Sequence, residues 1–239
     1  MDEKAKPPTC SGDAGAPEDA FDHVMQLSYK VDYRIADSGA QREAIFRLRY
    51  QAYMRDGTVS ANASGALSDP YDETGNVYLY GLYINDALAS SVRLHVTSQE
   101  HADFPSRDVF ADVLQPDLDA GKVIIEISRF VADENLARLH RGLPYATLRV
   151  CMLAAQHFSA DHLLSAVSAE HQPFYQRAFD CRLVGEPRPY PILARPLGLM
   201  MVHYPSAAPR LYQRYPFFHS PLFERRVLFE RPRTVSSFR

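Results

Sequence analysis

The chain has no tryptophan, only three cysteines in 239 residues and no long apolar run. Cys10, Cys151 and Cys181 form no CxxC pair and leave an odd one over, which excludes a disulfide framework. They read as thiols of a reducing, cytoplasmic compartment, with Cys10 exposed in a tail and the others packed. Apolar stretches such as Cys151 to Ala155 are far too short to span a bilayer. Met1 to Asp22 is polar, acidic and Pro-containing, without the basic-then-apolar order of a secretory leader. The formal net charge of −3 offers no basic field for nucleic acid. No glycine-rich nucleotide fingerprint and no Ser-His-Asp order stands out. His157, His162 and His171 fit no zinc spacing, so no metal is expected.

What is present is an apolar content of 46%, enough for one large domain. Residues 1–27 read as a disordered tail, too poor in apolar surface to offset ordering entropy. Residues 28–204 carry regular patterns. Tyr29 to Ile35 alternates as a strand, and Ser38 caps a helix through Tyr53. Val77–Ile84 and Ala87–Val96, joined by Asn85-Asp86, predict a hairpin. Asp108 to Leu118 is a weak helix with a break at Pro116. Lys122 to Ala132 is a strand and Asp133 to Leu143 a polar loop. Pro144 opens an apolar helix through Phe158. Strands at Leu163–Ser168, Cys181–Gly185 and Gly198–Tyr204, with a short helix at Gln172–Ala178, complete the order β-α-β-β-β-α-β-α-β-β. This is an α/β (α+β) arrangement, a mixed sheet flanked by helices. Residues 205–239 form an extension rich in arginine and aromatics. They either pack their rings on the core or dock an acidic partner.

The run Val123-Ile124-Ile125-Glu126-Ile127-Ser128-Arg129-Phe130 places a carboxylate, a hydroxyl and a guanidinium in an apolar strand. Regular alternation puts Ile125, Ile127 and Arg129 on one face and Glu126, Ser128 and Phe130 on the other. Buried charges need partners, and three other segments offer them: Arg49 with Tyr53 one helical turn on, Asp69 with Asp72, and Arg93 within a probable central strand. Such a set either shapes a cleft as a framework or captures a substrate carboxylate.

The order R-x-x-x-aromatic (Arg49, Tyr53), D-x-x-D (Asp69, Asp72), strand arginine (Arg93) and E-x-S-R-F (Glu126, Ser128, Arg129, Phe130) resembles the acyl-homoserine lactone, or autoinducer, synthases. Those proteins have a tryptophan after the first helix, where this chain has Asp56-Gly57-Thr58. The second half is similar to the GCN5-related N-acetyltransferase (GNAT) fold. Arg138 to Pro144 resembles its phosphopantetheine loop, and Phe174 to Asp180 its helix before the penultimate strand. Both halves together resemble the N-acyl amino acid synthases of the FeeM type, over roughly Tyr29 to Tyr204.

The resemblance implies a sheet of about seven strands, splayed at the donor site. It implies transfer of a fatty acyl chain from an acyl carrier protein phosphopantetheine thioester, or acyl-CoA, to the α-amine of a free amino acid. No bound cofactor is implied. The alternatives are lactone synthesis, acylation of a protein or lipid, and a non-catalytic thioester sensor. Glu126 then either takes the amine's proton or pairs permanently with an arginine, which would depress its pKa. Backbone N–H groups from Ser128 to Val131 would stabilise the oxyanion, and Tyr175 would be an acid toward the thiolate or a packed helix residue. Arg93 or Arg129 would hold the acceptor's carboxylate. Val131, Arg138, Arg141, Gly142 and Leu143 would hold the donor, and Arg149 with Arg138 and Arg141 would receive the acidic carrier protein.

Overall fold

The computed structural model describes residues 30–230, together with Val24, Met25 and Leu27. Cys10, most of the expected tail, and Arg231, Arg233 and Arg239 of the extension lie outside the described residues. A seven-stranded mixed sheet in the order β1-β2-β3-β4-β5-β7-β6 forms the centre. Its strands are β1 (Val31–Ile35), β2 (Val77–Ile84), β3 (Ala87–Val96), β4 (Ile124–Ala132), β5 (His162–Val167), β6 (Arg182–Arg188) and β7 (Leu197–His203).

Local chemistry explains the boundaries. Helix α1 (Gly39–Arg55) starts at a capping box, with Ser38 accepting from the Gln41 N–H and Gln41 accepting from the Ser38 N–H. Asn85 and Asp86 both have positive φ (49° and 63°), which a two-residue turn of the right twist requires, and Ile84 pairs with Ala87 across it. The weak helix resolves into α2 (Pro105–Val109) and α3 (Ala111–Asp119); the break falls at Phe110, and Pro116 lies inside α3. The expected loop after β4 contains a helix, α4 (Glu134–Leu139), because Asp133 accepts from the N–H groups of Asn135 and Leu136. Strand β6 continues through Pro187, which an edge strand tolerates.

One sheet face is covered by α5 (Leu143–His157), whose Leu148, Cys151 and Leu153 pack against Val92, Leu94, Ile125 and Ile127. The opposite face carries α1 over β3 and β4, and α2 and α3 toward β5 and β7. Helix α6 (Gln172–Phe179) precedes β6. The packed body reaches beyond the expected limits of 28–204. Val24 and Leu27 are buried. Beyond residue 204, α7 (Tyr204–Arg214) and α8 (Leu222–Phe229) bury Tyr215, Phe217, Phe218 and Phe229 in the same core as α5. Among the described residues no helix is long and apolar enough to cross a membrane.

Candidate active site

Helix α1 buries Ile45, Leu48, Arg49 and Ala52, an i, i+3, i+4, i+7 stripe with a guanidinium set into it. The stripe faces the sheet, so Arg49 is carried inward and is fully buried. Asp69 and Asp72 arrive together for a local reason. They form a reciprocal cap of the 3₁₀ turn Pro70–Glu73: Asp69 Oδ1 accepts from the Tyr71 N–H at 3.0 Å and Asp72 Oδ2 from the Asp69 N–H at 2.9 Å. The D-x-x-D spacing thus presents two carboxylates to one place.

There they alternate with three arginines. Arg49 Nη1 donates to both Asp72 oxygens (2.8 and 2.9 Å), and Arg93 Nη1 to Asp72 (3.0 Å) and Asp69 (2.6 Å). Arg129 Nη2 reaches Asp69 Oδ2 at 2.7 Å, with its guanidinium 5.5 Å from the centre of the Tyr53 ring. Arg93 Nε also donates to Ser128 Oγ at 3.1 Å. Burial would raise the Asp69 pKa, but the charges of Arg93 and Arg129 and their hydrogen bonds outweigh it and hold it at about 2. Burial dominates at Arg49, lowering its pKa to about 10 despite Asp72.

The position of Arg129 corrects the alternation expected of β4. Ser91 pairs with Val131 but Arg93 with Ser128, so Arg129 and Phe130 together oppose Val92 alone. This β-bulge sets Arg129 at φ 53°, a left-handed conformation that a non-glycine residue adopts only when its surroundings hold it. The extra residue keeps Arg129 on the face of Glu126 and Ser128. It turns Phe130 to the face of Ile125 and Ile127, against the α5 core.

Of the two readings of Glu126, the permanent arginine pair is the one the geometry does not provide. Glu126 forms no ion pair with an arginine among the described residues. Oε1 accepts from the Ser106 hydroxyl and from the Ser106 N–H (3.2 Å), and Tyr190 Oη stands 3.5 Å away. His95, its neighbour across the β3–β4 pair, places Nδ1 3.9 Å from Oε2. Burial raises the Glu126 pKa to about 7, against the pull of Ser106, Arg93 and Arg129. His95 is lowered to about 4 by burial and by Arg93, and is neutral at neutral pH. Sequence reasoning missed Ser106, Tyr190 and His95. The only signal was the odd polarity of His95 between Leu94 and Val96.

Strands β4 and β5 pair in parallel only from Ile124↔His162 to Glu126↔Leu164. Beyond that point they part, and Ser165 Oγ bonds the Ile127 carbonyl at 2.7 Å where the split opens. A cleft of about 170 Å³ occupies the gap. It is lined by Ile127–Val131 and Ser165–Ser168, by Tyr53 from α1, by Phe174 and Tyr175 from α6, and by Arg93, Tyr190 and Arg195. Beyond Glu126 the β4 edge is no longer paired with β5. At Ile127, Ser165 and Tyr175 the cleft meets a second, small and almost wholly apolar cavity of about 30 Å³ under α5, lined among others by Leu148, Cys151, Met152 and Phe179.

The structure therefore brings together Arg49, Asp69, Asp72, Arg93 and Arg129, and gathers Tyr53, Ser128, Phe130, Val131 and Tyr175 at the cleft. Arg138, Arg141, Gly142 and Leu143 stand outside its lining; the first two are exposed, and the Leu143 N–H is taken by the His140 carbonyl. Arg149 is not a surface docking residue. It donates to Phe217 O (2.7 Å) and to Glu224 Oε1 (2.5 Å) and so pins the C-terminal extension to α5. Burial pushes the Cys151 thiol upward and Cys181 to about 12, so both are packing residues. No group of three or more His, Cys, Asp or Glu residues that could hold a metal ion occurs among the described residues.

Opposite shifts at Asp69 and Glu126 give a signed expectation for stability. Asp69 is depressed from 3.8, so its contribution is present above that value and is lost as pH falls toward about 2. Glu126 is raised from 4.5, so its contribution is present below that value and is lost as pH rises through about 7. Thermal melts are expected to show maximal stability between these windows. Asp69→Asn should flatten the acid side alone, and an unchanged acid limb in that variant would contradict the pairing.

The family model described as N-acyl amino acid synthase FeeM matches residues 44–203. No curated protein matches the chain. Among solved structures, FeeM, an N-acyl amino acid synthase from uncultured soil microbes, aligns at a TM-score of 0.63 and 16% identity, over 79% of this chain and 97% of that one. TofI, solved in a ternary complex with an inhibitor and MTA, aligns at 0.57 and 14%, over 80% and 100%. The CoA-dependent acyl-homoserine lactone synthase BjaI, solved with MTA, aligns at 0.55 and 14%, over 77% and 88%. At these identities the structural likeness establishes the fold, that of the GNAT-like acyltransferases. The family model covers well over half of the sequence, and the chain belongs to the FeeM N-acyl amino acid synthase family.

Proposed function

We propose that this acyltransferase moves a fatty acyl chain from an acyl carrier protein or CoA thioester to the α-amine of an amino acid. One observation carries the reading: the split between β4 and β5 joins an apolar cavity to a cleft walled by arginine. The acyl chain follows the apolar wall of the split toward this cavity and parts the side chains that line it, and burial of each methylene contributes about 0.8 kcal/mol. The thioester carbonyl then lies at the split, with its developing oxyanion toward the N–H groups of β4 between Ser128 and Val131. Tyr175, which borders both spaces, stands beside the leaving sulfur. The acceptor enters from the charged side. Of the three network arginines, Arg129 is the most open to the cleft, at 8% exposure against 1% for Arg93 and 0% for Arg49, and it is the one placed to meet a carboxylate. Asp69 and Tyr53 hold it in position.

Mass spectrometry separates this reading from its alternatives. The purified enzyme is supplied with acyl carrier protein thioesters, free amino acids and S-adenosylmethionine. An N-acyl amino acid is expected. A lactone would instead assign autoinducer synthesis, and no acylated product would point to a thioester-binding sensor. The exposed Arg138 and Arg141, beside the N-terminus of α5, are proposed to meet the acidic carrier protein. Arg138→Glu with Arg141→Glu is expected to raise KM for acyl carrier protein roughly tenfold with kcat unchanged, the loss of about 1.4 kcal/mol of binding. Steady-state kinetics with that donor indistinguishable from wild type would remove this loop from the docking site.

A further inference from the structure

The cleft does not touch the carboxylate that has the proton affinity to serve it. Glu126 is 1% exposed and is not among the residues that line the cleft. Tyr190 is, and its hydroxyl is directed at Ser106 and Glu126, so this one residue touches both the cleft and the carboxylate. Tyr190 Oη lies 3.5 Å from Glu126 Oε1 and 3.3 Å from Ser106 Oγ, while Ser106 donates its hydroxyl and its N–H to the same Oε1. Among the described residues the far oxygen, Oε2, has no hydrogen-bond partner and faces His95 Nδ1 at 3.9 Å, which also has none. His95 Nε2 is 2.9 Å from the Tyr71 carbonyl, an oxygen that can only accept. Nε2 therefore carries the hydrogen, and Nδ1 presents a lone pair to Glu126. With Glu126 ionised, two lone pairs face each other in a buried space. A proton on Oε2 satisfies both.

We infer that Tyr190 carries the amine's proton from the cleft to Glu126, and that His95 is a positioning residue that stabilises Glu126 in its protonated form. This rests on the acyl-transfer reading above. The amine nitrogen gives one proton to the Tyr190 oxygen as Tyr190 gives its own to Glu126 Oε1, and a half-turn of the carboxyl group then presents that O–H to His95 Nδ1. The C–N bond forms and the C–S bond breaks, and the thiolate departs with the charge that Glu126 gave up. Return of that proton to the thiolate restores ionised Glu126 and yields the free thiol and the amide. The groups that set the Glu126 titration come from every side: Arg93 and His95 on β3, Arg129 on β4, Ser106 on α2, Tyr190 before β7, and Tyr71 on the 3₁₀ turn.

Two measurements test it, one of them without substrate. The infrared carboxyl band lost in Glu126→Gln identifies Glu126 and is followed through a pH titration of the folded protein. Tyr190→Phe is expected to raise its midpoint, since an O–H directed at the carboxylate is lost. His95→Leu is expected to lower it, since the acid form loses its acceptor. In steady-state kinetics Tyr190→Phe is expected to lower kcat about 100-fold with KM for both substrates within about twofold. His95→Leu should shift the acid limb of kcat/KM in step with the infrared midpoint. A Glu126 midpoint unmoved by Tyr190→Phe, or wild-type kcat in that variant, overturns the relay. Failure of the wild type to acylate any amino acid would sink the functional reading, and the infrared midpoints would still decide whether Tyr190 is coupled to Glu126.

Discussion

Glu126→Gln is expected to lower kcat by about 10²- to 10⁴-fold, the range general base catalysis supplies, while making the folded protein more resistant to heat above pH 7. The two effects share one cause. Burial opposes the Glu126 charge and raises its pKa to about 7, so at alkaline pH the wild type retains an unfavourable buried carboxylate that a neutral amide does not. Glutamine also reproduces the acid form. Its Oε1 can accept from Ser106, and its Nε2 can donate toward His95 Nδ1. The same titration sets the activity profile: kcat/KM in the wild type is expected to rise with pH through about 7 as Glu126 becomes a base. Below pH 4.5, where Glu126 is protonated in both folded and unfolded chains, the stability advantage of glutamine should vanish. A variant with wild-type kcat, or one destabilised equally at every pH, would show that Glu126 is a structural residue and not a proton acceptor.

Asp72→Ala is expected to destabilise the protein by about 3–5 kcal/mol, the cost of leaving a buried charge without its partner. The expectation is large because Arg49 is fully buried and bonds Asp72 alone among the described residues, with Nε and Nη2 unpartnered. The variant also loses the cap of the 3₁₀ turn, which places Asp69, and Asp69 holds both Arg93 and Arg129. Activity should therefore fall even at temperatures where the variant remains folded. Replacing Arg49 and Asp72 together by methionine and leucine is expected to recover much of the stability, because the unpaired Arg49 charge is removed and Arg93, which loses Asp72, keeps Asp69. Urea unfolding of both variants checks this. A loss below about 1 kcal/mol for Asp72→Ala would mean that water already screens the network.

Most of the framework was legible because it depends on short-range chemistry. The Ser38 cap, the Asn85-Asp86 turn and the hairpin of β2 and β3 are each decided within a few residues, and the structure places them where those patterns put them. The charged segments were legible for the complementary reason, that arginine and aspartate are costly inside an apolar element unless they meet. Pairing among Arg49, Asp69, Asp72, Arg93 and Arg129 follows from that cost. Helix α4 was missed because its signal is one capping aspartate in a polar stretch; Val24 and Leu27 are buried within the segment read as a tail, whereas Phe218 and Phe229 pack on the core as one of the two readings of the extension had it.

The sequence by itself determined the order of the strands, the segments that carry charge and the family to which they belong. Tertiary structure alone decided what each charge does. A single extra residue in β4 reversed the faces of Arg129 and Phe130, because a bulge depends on register with β3 and not on the composition of β4. Glu126 met Ser106, His95 and Tyr190 rather than an arginine. Those three come from a helix, a neighbouring strand and a distant loop, and only packing of the whole sheet brings them within reach of one carboxylate. The proton affinity of that carboxylate follows from the loss of water around it, a property of the assembled core that no local pattern encodes.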